Sequence, residues 1–411
     1  MVAFFFMFVY RNLCRMAESQ FKHFKKVLFL LNVLKLALTA FGGPQVHYTQ
    51  FRKHLVIKKK YISEEDLAEL NSFCSMLPGP TSTQTITSIG YKLGGPGFAF
   101  LTLSVWIFPA CLLMGTLAIL FTHLALDNPK LEFLKYLQPM ASGFLIFAAY
   151  RFIQMFVTKR YHWALLLITA SIGILLQSPF LIPVMLAIGG VISSYINTRG
   201  AIKKPEPITN IRWDNLFLFF GIFLLAAIIG VATQYRLMLL FENHFRYGSI
   251  VFGGGNVLIP LMYNQFVEYK HYIAAPEFLA GLGFLQAMPG PVFSIATFTG
   301  AMSMKDFGFW GQVAGMISGT VGIFLPGILL LFFVYPIWDQ LKHFAPVKNA
   351  IEGVNAASAG LVVGSAYLLF LPVEVNEENM LVLLTTLFLL LSTKVPSPLI
   401  VLGCLIGGYF L

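Results

Sequence analysis

Hydrophobic positions along this chain run in long unbroken stretches, not in alternating or heptad stripes. Eight stretches of at least 21 residues contain no Asp, Glu, Lys or Arg: 70–91, 93–126, 161–198, 215–235, 247–267, 278–304, 307–338 and 353–373. They hold 216 of the 411 residues. A helix needs about 20 apolar residues to cross about 30 Å of hydrocarbon, so the pattern predicts an all-α polytopic membrane protein of about ten helical segments. A transmembrane β-barrel would alternate apolar and polar positions in period two, which these runs do not.

Two of the runs are interrupted. Ser63 followed by Asp66 reads as a capping box that starts a helix. That helix must stop near Leu77, because Pro78 disfavours a helical residue before it. Gly79-Pro80 then restarts a helix that runs to about Gly90, Pro being favoured at the first helical position. Each piece is too short to span a bilayer. Farther along, Pro276 opens one short helix and Pro291 opens the next.

The two interruptions belong to an internal repeat. Shifted by 211 residues, 41–80 overlies 252–291 without a gap, with 12 of 40 positions identical. The identities include Phe41-Gly42-Gly43 with Phe252-Gly253-Gly254, and Pro78-Gly79-Pro80 with Pro289-Gly290-Pro291. Ile107-Phe108-Pro109 resembles Phe324-Leu325-Pro326 in a slipped register. The expected organisation is an N-terminal extension (1–26), a first repeat (27–198), a polar linker (199–214) and a second repeat (215–411). Met16 offers an alternative start, which would make residues 1–15 dispensable.

Charge orients the repeats. The net charge is +10, from 28 basic and 18 acidic residues. In a chain that is 57% hydrophobic it marks cytoplasmic loops, not nucleic-acid binding. The first FGG motif is followed by Arg52, Lys53, Lys58, Lys59 and Lys60, whereas the second is followed by Lys270 offset by Glu268. The first loop, Lys159-Arg160 and the linker should be cytoplasmic, and Glu374, Glu377 and Glu378 external. The halves are then pseudo-symmetric and inverted, an arrangement common in secondary transporters. Segment 27–51 has basic residues on both flanks, so it reads as re-entrant or interfacial and not as a simple crossing. Trp163, Trp213, Trp310 and Trp338 read as interfacial anchors.

Helix breaks at membrane depth are tolerated only against protein or a water-filled cavity. Two breaks in equivalent positions point to a midplane site, because helix N-termini hold anions without a fixed cation. After the first break, Thr81, Gln84, Thr85 and Ser88 form an i, i+3, i+4, i+7 polar stripe beside Ser82. Ser294 and Thr297 are the sparser counterpart. Gly42-Gly43-Pro44 and Gly253-Gly254-Gly255, followed by Asn256, add backbone amides suited to an anion nest. His47, with Leu258 at its counterpart, is a candidate to hold an anion or carry a proton. Arg52, Gln286 and Asn355 complete the candidate substrate set. Packing of small residues between helices is the structural alternative for the glycine and hydroxyl motifs; for His47 it is an interfacial histidine, for Arg52 a topology signal, and for Gln286 and Asn355 a hydrogen bond between helices. The four cysteines have no CxxC spacing and the eight histidines no HExxH pair, so no metal, cofactor or disulfide is expected. No nucleophile–base pair or paired carboxylates lie within the apolar runs, which argues against an intramembrane enzyme.

The FGGP motif with His47 and Phe51-Arg52, Leu77-Pro78-Gly79-Pro80 with Gln84, Gln286-Ala287-Met288-Pro289-Gly290-Pro291, Phe324-Leu325-Pro326-Gly327 and Gly353-Val354-Asn355-Ala356-Ala357 resemble the chromate ion transporter family in its long, two-repeat form. The resemblance covers most of 27–371. It implies chromate efflux across the cytoplasmic membrane and chromate resistance, coupled to the proton gradient or to exchange with another oxyanion. Ser75 departs from the Gln usual there, as does Lys58-Lys59-Lys60-Tyr61 from an Arg-rich sequence with Trp. The expected partners are chromate or a sulfate-like oxyanion and membrane lipid, with a homodimer left open. Import or exchange of sulfate and a passive channel are the rival functions.

Overall fold

The computed structural model describes residues 24–127, 135–176, 181–198, 211, 213–252, 255–338, 345–393 and 395–410. The start-site reading at Met16, most of the linker, Gly253, Gly254 and the Asn256 side chain lie outside the described residues. In the first half the chain forms α1 (24–39), α2 (Gly43–Phe51, prolonged by a π-helical turn Arg52–Lys58), α3 (Glu64–Ser75), α4 (Thr81–Asp127), α5 (Leu137–Phe156), α6 (Arg160–Leu176) and α7 (Leu181–Thr198). In the second it forms α8 (Asp214–Thr233), α9 (Arg236–Ile250), α10 (Gly255–Tyr263, prolonged by a π-helical turn Asn264–Tyr269), α11 (Ala275–Ala287), α12 (Ile295–Met302), α13 (Gly308–Val334), α14 (Ala345–Phe370), α15 (Glu377–Ser392) and α16 (Ser397–Phe410).

The helices outnumber the ten segments expected because several apolar runs fold back on themselves. Sequence spacing does not say whether the chain continues or reverses at PGP. The contacts show that it reverses. Asn71 meets Thr85 at 3.4 Å, Cys74 meets Ser88 at 3.4 Å, and Asp66 meets Lys92 at 2.5 Å. Asp66 and Lys92 lie equally far in sequence on either side of Gly79, and the other two pairs fall between them and the break, so α3 and the start of α4 are the arms of an antiparallel hairpin with PGP at its tip. The second half repeats this. The rings of Phe284 and Phe298 lie 6.2 Å apart, and Lys305 pairs with Glu277 at 2.6 Å. Arms of 12 and 13 residues, α3 and α11, are about 20 Å long, half a membrane. Both begin with a carboxylate reaching back to a backbone N–H, from Asp66 to Ser63 and from Glu277 to Ala274. The same two carboxylates receive the lysines that close the hairpin bases.

The first FGG motif is also a break. Gly42 and Gly43 have φ of 101° and 81°, which a Cβ would oppose, so α1 cannot run on into α2. Asn32 donates to the Tyr61 hydroxyl at 3.2 Å, and Phe29 stacks edge-on against Tyr61 at 5.3 Å. Both basic flanks of 27–51 therefore sit at the same end of a folded-back pair, which accounts for a charge pattern that a single crossing cannot.

Past each hairpin a long helix traverses the molecule. Gly95, with φ 79° and ψ −173°, divides α4 into the hairpin arm and this long piece. Gly308 has nearly the same conformation, φ 70° and ψ −172°, before α13. Gln312 near the start of α13 donates to Thr122 near the end of α4 at 2.8 Å, so the two long helices run antiparallel. Each half thus presents its hairpin bases to opposite ends of the molecule, as an inverted repeat requires.

Around this centre, α14 packs on α6 and α7 along small residues. A Cβ on Gly353 would lie 2.7 Å from the Gly189 carbonyl carbon. Lys159 pairs with Glu352 at one end of α14. Tyr136 donates to Glu378 at 2.8 Å beyond the other end of α5, separating the basic and acidic loops. Four helices among the described residues are long and apolar enough to cross a membrane: Thr81–His123, Asp214–Thr233, Lys305–Ile337 and Asn349–Phe370. α8 exposes Phe217, Leu225 and Ile228, as a lipid-facing helix does. Trp163, Trp213 and Trp310 are exposed. Trp338 instead packs on Phe73 at 4.8 Å.

Candidate functional site

The two PGP tips are held by each other's half. The Gly79 amide donates to the Val251 carbonyl at 2.7 Å, just before the second FGG motif. The Gly290 amide donates to the Ala40 carbonyl at 2.9 Å, just before the first. Both donors and both acceptors differ by the same 211 residues, so the pair is one contact repeated by the pseudo-twofold axis. A Cβ at Gly79 would lie 3.5 Å from Gly327 Cα, and one at Gly290 would lie 2.8 Å from Ala110 Cβ. Those neighbours follow Pro326 and Pro109, inside the long helices. Each tip therefore rests on the FGG break and the proline bend of the opposite half. Such close approach requires glycine at the tip, as does φ of 114° at Gly79 and 106° at Gly290.

One side chain joins the tips. His47 is fully buried on α2. Its Nε2 lies 3.3 Å from the Ala40 carbonyl, the one that holds Gly290. Its Nδ1 lies 3.0 Å from Ser82 Oγ in the first turn of α4. A carbonyl only accepts, so Nε2 carries the hydrogen and the Ser82 hydroxyl donates to Nδ1. The ring packs edge-on to Trp106 at 5.3 Å, and Trp106 Nε1 donates to Thr83 Oγ1 at 3.2 Å. Three hydrogen bonds thus connect Ser82, His47, Ala40 and Gly290.

Gln84 has a different role from the one its stripe suggests. Its Nε2 donates to the carbonyls of Pro78 at 2.8 Å and Gly327 at 3.2 Å, latching the tip to α13. Since those partners only accept, the amide orientation is fixed. Oε1 is left buried without a partner in the chain. It is an acceptor, and a fully ionised oxyanion offers it nothing. Thr85 donates to the Thr81 carbonyl at 2.8 Å, and Ser88 faces Cys74, so these stripe positions line the hairpin seam. The donors left at the first tip are the Thr81 hydroxyl and backbone groups. The Gln84 amide to Pro80 carbonyl bond, at 2.9 Å, is the first of α4. The amides of Thr81, Ser82 and Thr83 precede it, and a helix leaves such groups without intrahelical acceptors. At the second tip Val292–Ser294 is a short 3-10 turn, so regular helix starts later than Pro291 suggests. Ser294 is buried there, whereas Gln286, Pro289 and Gly290 are half-buried.

Other candidates lie elsewhere. Arg52 is exposed at a hairpin base and pairs with Glu64, whose carboxyl it holds below the ordinary range by a hydrogen bond. Asn355 is on α14 among the outer helices, its Oδ1 buried and unpartnered in the chain. Gly42, Gly43 and Pro44 form the first break itself. Sequence reasoning missed a polar cluster on α9: Arg246 pairs with Glu242 at 2.9 Å, and Gln265 bridges Asn243 at 3.0 Å and Tyr247 at 2.9 Å. The i, i+4 spacing of Glu242 and Arg246 signalled the pair, but it lies outside the charge-free runs. Gly95, Trp106 and Val251 were also missed, being single residues with no pattern around them.

The family model described as chromate transporter matches residues 27–194 and 238–409. The chain belongs to the chromate transporter family. Those two blocks fall on the two halves, each with its own FGG motif and PGP break. An uncharacterized transporter of Methanocaldococcus jannaschii is 27% identical over 384 residues, 93% of either chain. A chromate transport protein of Pseudomonas aeruginosa is 25% identical over 344 residues, 80% of this chain and 77% of its own. One from Cupriavidus metallidurans is 22% identical over 394 residues, covering 91% and 90%. No solved structure matches. A helical membrane protein of a transporter family, with interlocked re-entrant tips, is built to pass a solute, and its residues offer backbone and hydroxyl donors.

Proposed function

We propose that this protein is a secondary transporter that exports chromate, or a closely similar tetrahedral oxyanion, across the cytoplasmic membrane. The proton gradient or a counter-moving oxyanion drives it. The observation that carries this reading is the reciprocal pair of tip contacts, Gly79 to Val251 and Gly290 to Ala40. They bring a helix N-terminus from each half to the middle of the fold, where neutral donors suit a dianion. On this reading the anion sits against the first turn of α4, with Thr81 and Ser82, and against Ser294 beyond the second tip. The basic loops at 52–60, 159–160 and 199–212 face the cytoplasm and draw the anion in. Hydroxyl and amide donors fit sulfate as well as chromate, so import or exchange of sulfate is the second reading.

Flux into proteoliposomes tests both, with chromate, sulfate and molybdate compared with and without a pH gradient. Saturable chromate flux that responds to the gradient supports the proposal. Saturable sulfate flux without chromate flux selects the second reading. Flux that neither saturates nor responds to any gradient other than the anion's own indicates a channel.

A further inference from the structure

We propose that His47 couples proton binding to oxyanion binding, by switching the Ser82 hydroxyl from the imidazole to the substrate. The inference rests on the transport reading above, in the form in which a counter-moving oxyanion drives export, because a proton that travels with the anion would use an inward proton gradient for uptake. In the structure the hydroxyl proton of Ser82 is spent on Nδ1, 3.0 Å away. When a proton from solution binds Nδ1, both ring nitrogens become donors. Ser82 Oγ then accepts from the ring, and its own O–H turns to the first turn of α4, where the amides of Thr81 to Thr83 already point. One proton is taken up, no covalent bond other than N–H forms, and the same proton leaves when the anion does. The site gains a donor, with a positive charge directly behind it. The bond from Nε2 to the Ala40 carbonyl also becomes charge-assisted, and that carbonyl is the one that pins Gly290. A single protonation thus acts on both tips.

The surroundings leave the counter-charge to the substrate. From α2 the ring meets Phe51, from α4 Ser82 and Trp106, from the first break the Ala40 carbonyl, and beyond it the Gly290 amide. None of these is charged or titrates near neutral pH. The basic residue next along α2, Arg52, is exposed and committed to Glu64. Anion and proton therefore favour each other's binding, and the linkage is reciprocal. Leu258 stands at the equivalent place in the second half, so the repeat does not duplicate this histidine.

The test uses the full-length protein in proteoliposomes with the membrane potential clamped. Gradient-driven accumulation of chromate and of sulfate is measured beside their exchange at uniform pH. Sulfate is included because it carries no proton of its own in the neutral range. One coupled proton sustains about a tenfold concentration ratio per pH unit. His47→Gln keeps a donor for Ala40 and an acceptor for Ser82 but cannot take the proton. It should lower accumulation relative to exchange by about that tenfold and flatten the pH profile of exchange. A His47→Gln protein that accumulates anion as the wild type does overturns the proposal. Should that variant not fold, Ser82→Ala carries the test. It should abolish the gain in apparent anion affinity on acidification, and an undiminished gain overturns the switch. Wild-type protein that carries neither anion overturns the transport reading instead, and this inference with it.

Discussion

Substituting Gly290 by alanine tests the interlocked tips at their tightest point. The new Cβ would lie 2.8 Å from Ala110 Cβ, a methyl fixed to the backbone of a long helix and unable to swing aside. Overpacking of this kind costs about 1–3 kcal/mol. The φ of 106° adds backbone strain of about 1–3 kcal/mol for any residue with a Cβ. A loss of about 3 kcal/mol, near the low end of the sum, weakens the docked tip by about a hundredfold. The first tip shows how the clash can be relieved, for the place of Ala110 is taken there by Gly327, at 3.5 Å. Ala110→Gly in the Gly290→Ala background should thus recover about 1–2 kcal/mol, the steric share, and leave the φ share. Gly97→Ala is the control, since nothing lies within 4 Å of its Cβ position. Thermal unfolding in detergent reads stability, and oxyanion exchange in proteoliposomes reads the tip. If Gly290→Ala matches Gly97→Ala in both, or if Ala110→Gly restores nothing, the tips are not held as described.

Gly300→Val should be the most damaging change outside the tips. Its Cβ would meet the Gly315 carbonyl carbon at 3.0 Å and Gly319 Cα at 3.2 Å, so α12 and α13 would separate, costing about 3 kcal/mol or more in unfolding measurements. Gln84→Leu removes the hydrogen bonds to the Pro78 and Gly327 carbonyls, a loss of about 1–3 kcal/mol that should appear in stability before it appears in anion affinity. Asp66→Asn removes the ion pair with Lys92 at a hairpin base, worth about 1 kcal/mol at such exposure. Lys92 holds the Asp66 carboxyl below its ordinary range. The stabilisation is therefore present above the unfolded-state value and fades as pH falls through the folded one. The gap in melting temperature between wild type and Asp66→Asn should narrow below about pH 4.

Much of this architecture could be read from the chain because its signals are local. A capping box, a proline after a short apolar run and a glycine between prolines each fix the backbone within a few residues. The 211-residue register then carried each feature into the other half. The reversal at PGP was not legible, because the same prolines and glycine permit a kinked crossing or a hairpin, and only the pairing of Asp66 with Lys92 decides. Nor could sequence assign hydrogen-bond partners. Gln84, Thr85 and Ser88 fall on one helical stripe, but Thr85 and Ser88 face the other arm of the hairpin and Gln84 reaches α13. Arg52 looked available to an anion because Glu64, its partner, belongs to the next helix. Candidate residues on one element were therefore easier to find than the contacts between elements that decide their roles.

The crossed arrangement has a mechanical consequence. Had each tip rested on its own half, the halves could slide without disturbing either site. Here Gly79 holds to Val251 and Gly290 to Ala40, so any movement of one half against the other must break or remake both contacts together. Each is a single backbone hydrogen bond worth about 1 kcal/mol net, low enough for thermal motion to open. The glycine crossing of α12 on α13 is backbone against backbone over more than a turn, and it should move as one body. Motion of one half against the other should therefore be felt first at the tips, where the helix N-termini lie. Among the places where the symmetry fails are His47 opposite Leu258, Ala110 opposite Gly327, and the Glu242–Arg246 pair opposite Leu31 and Lys35. A transporter of perfect twofold symmetry would have no preferred direction in its own structure. The first two place the His47 ring and the tighter clamp on the pair formed by Ala40 and Gly290, so under the coupling proposed above that contact is the one whose opening a proton would bias.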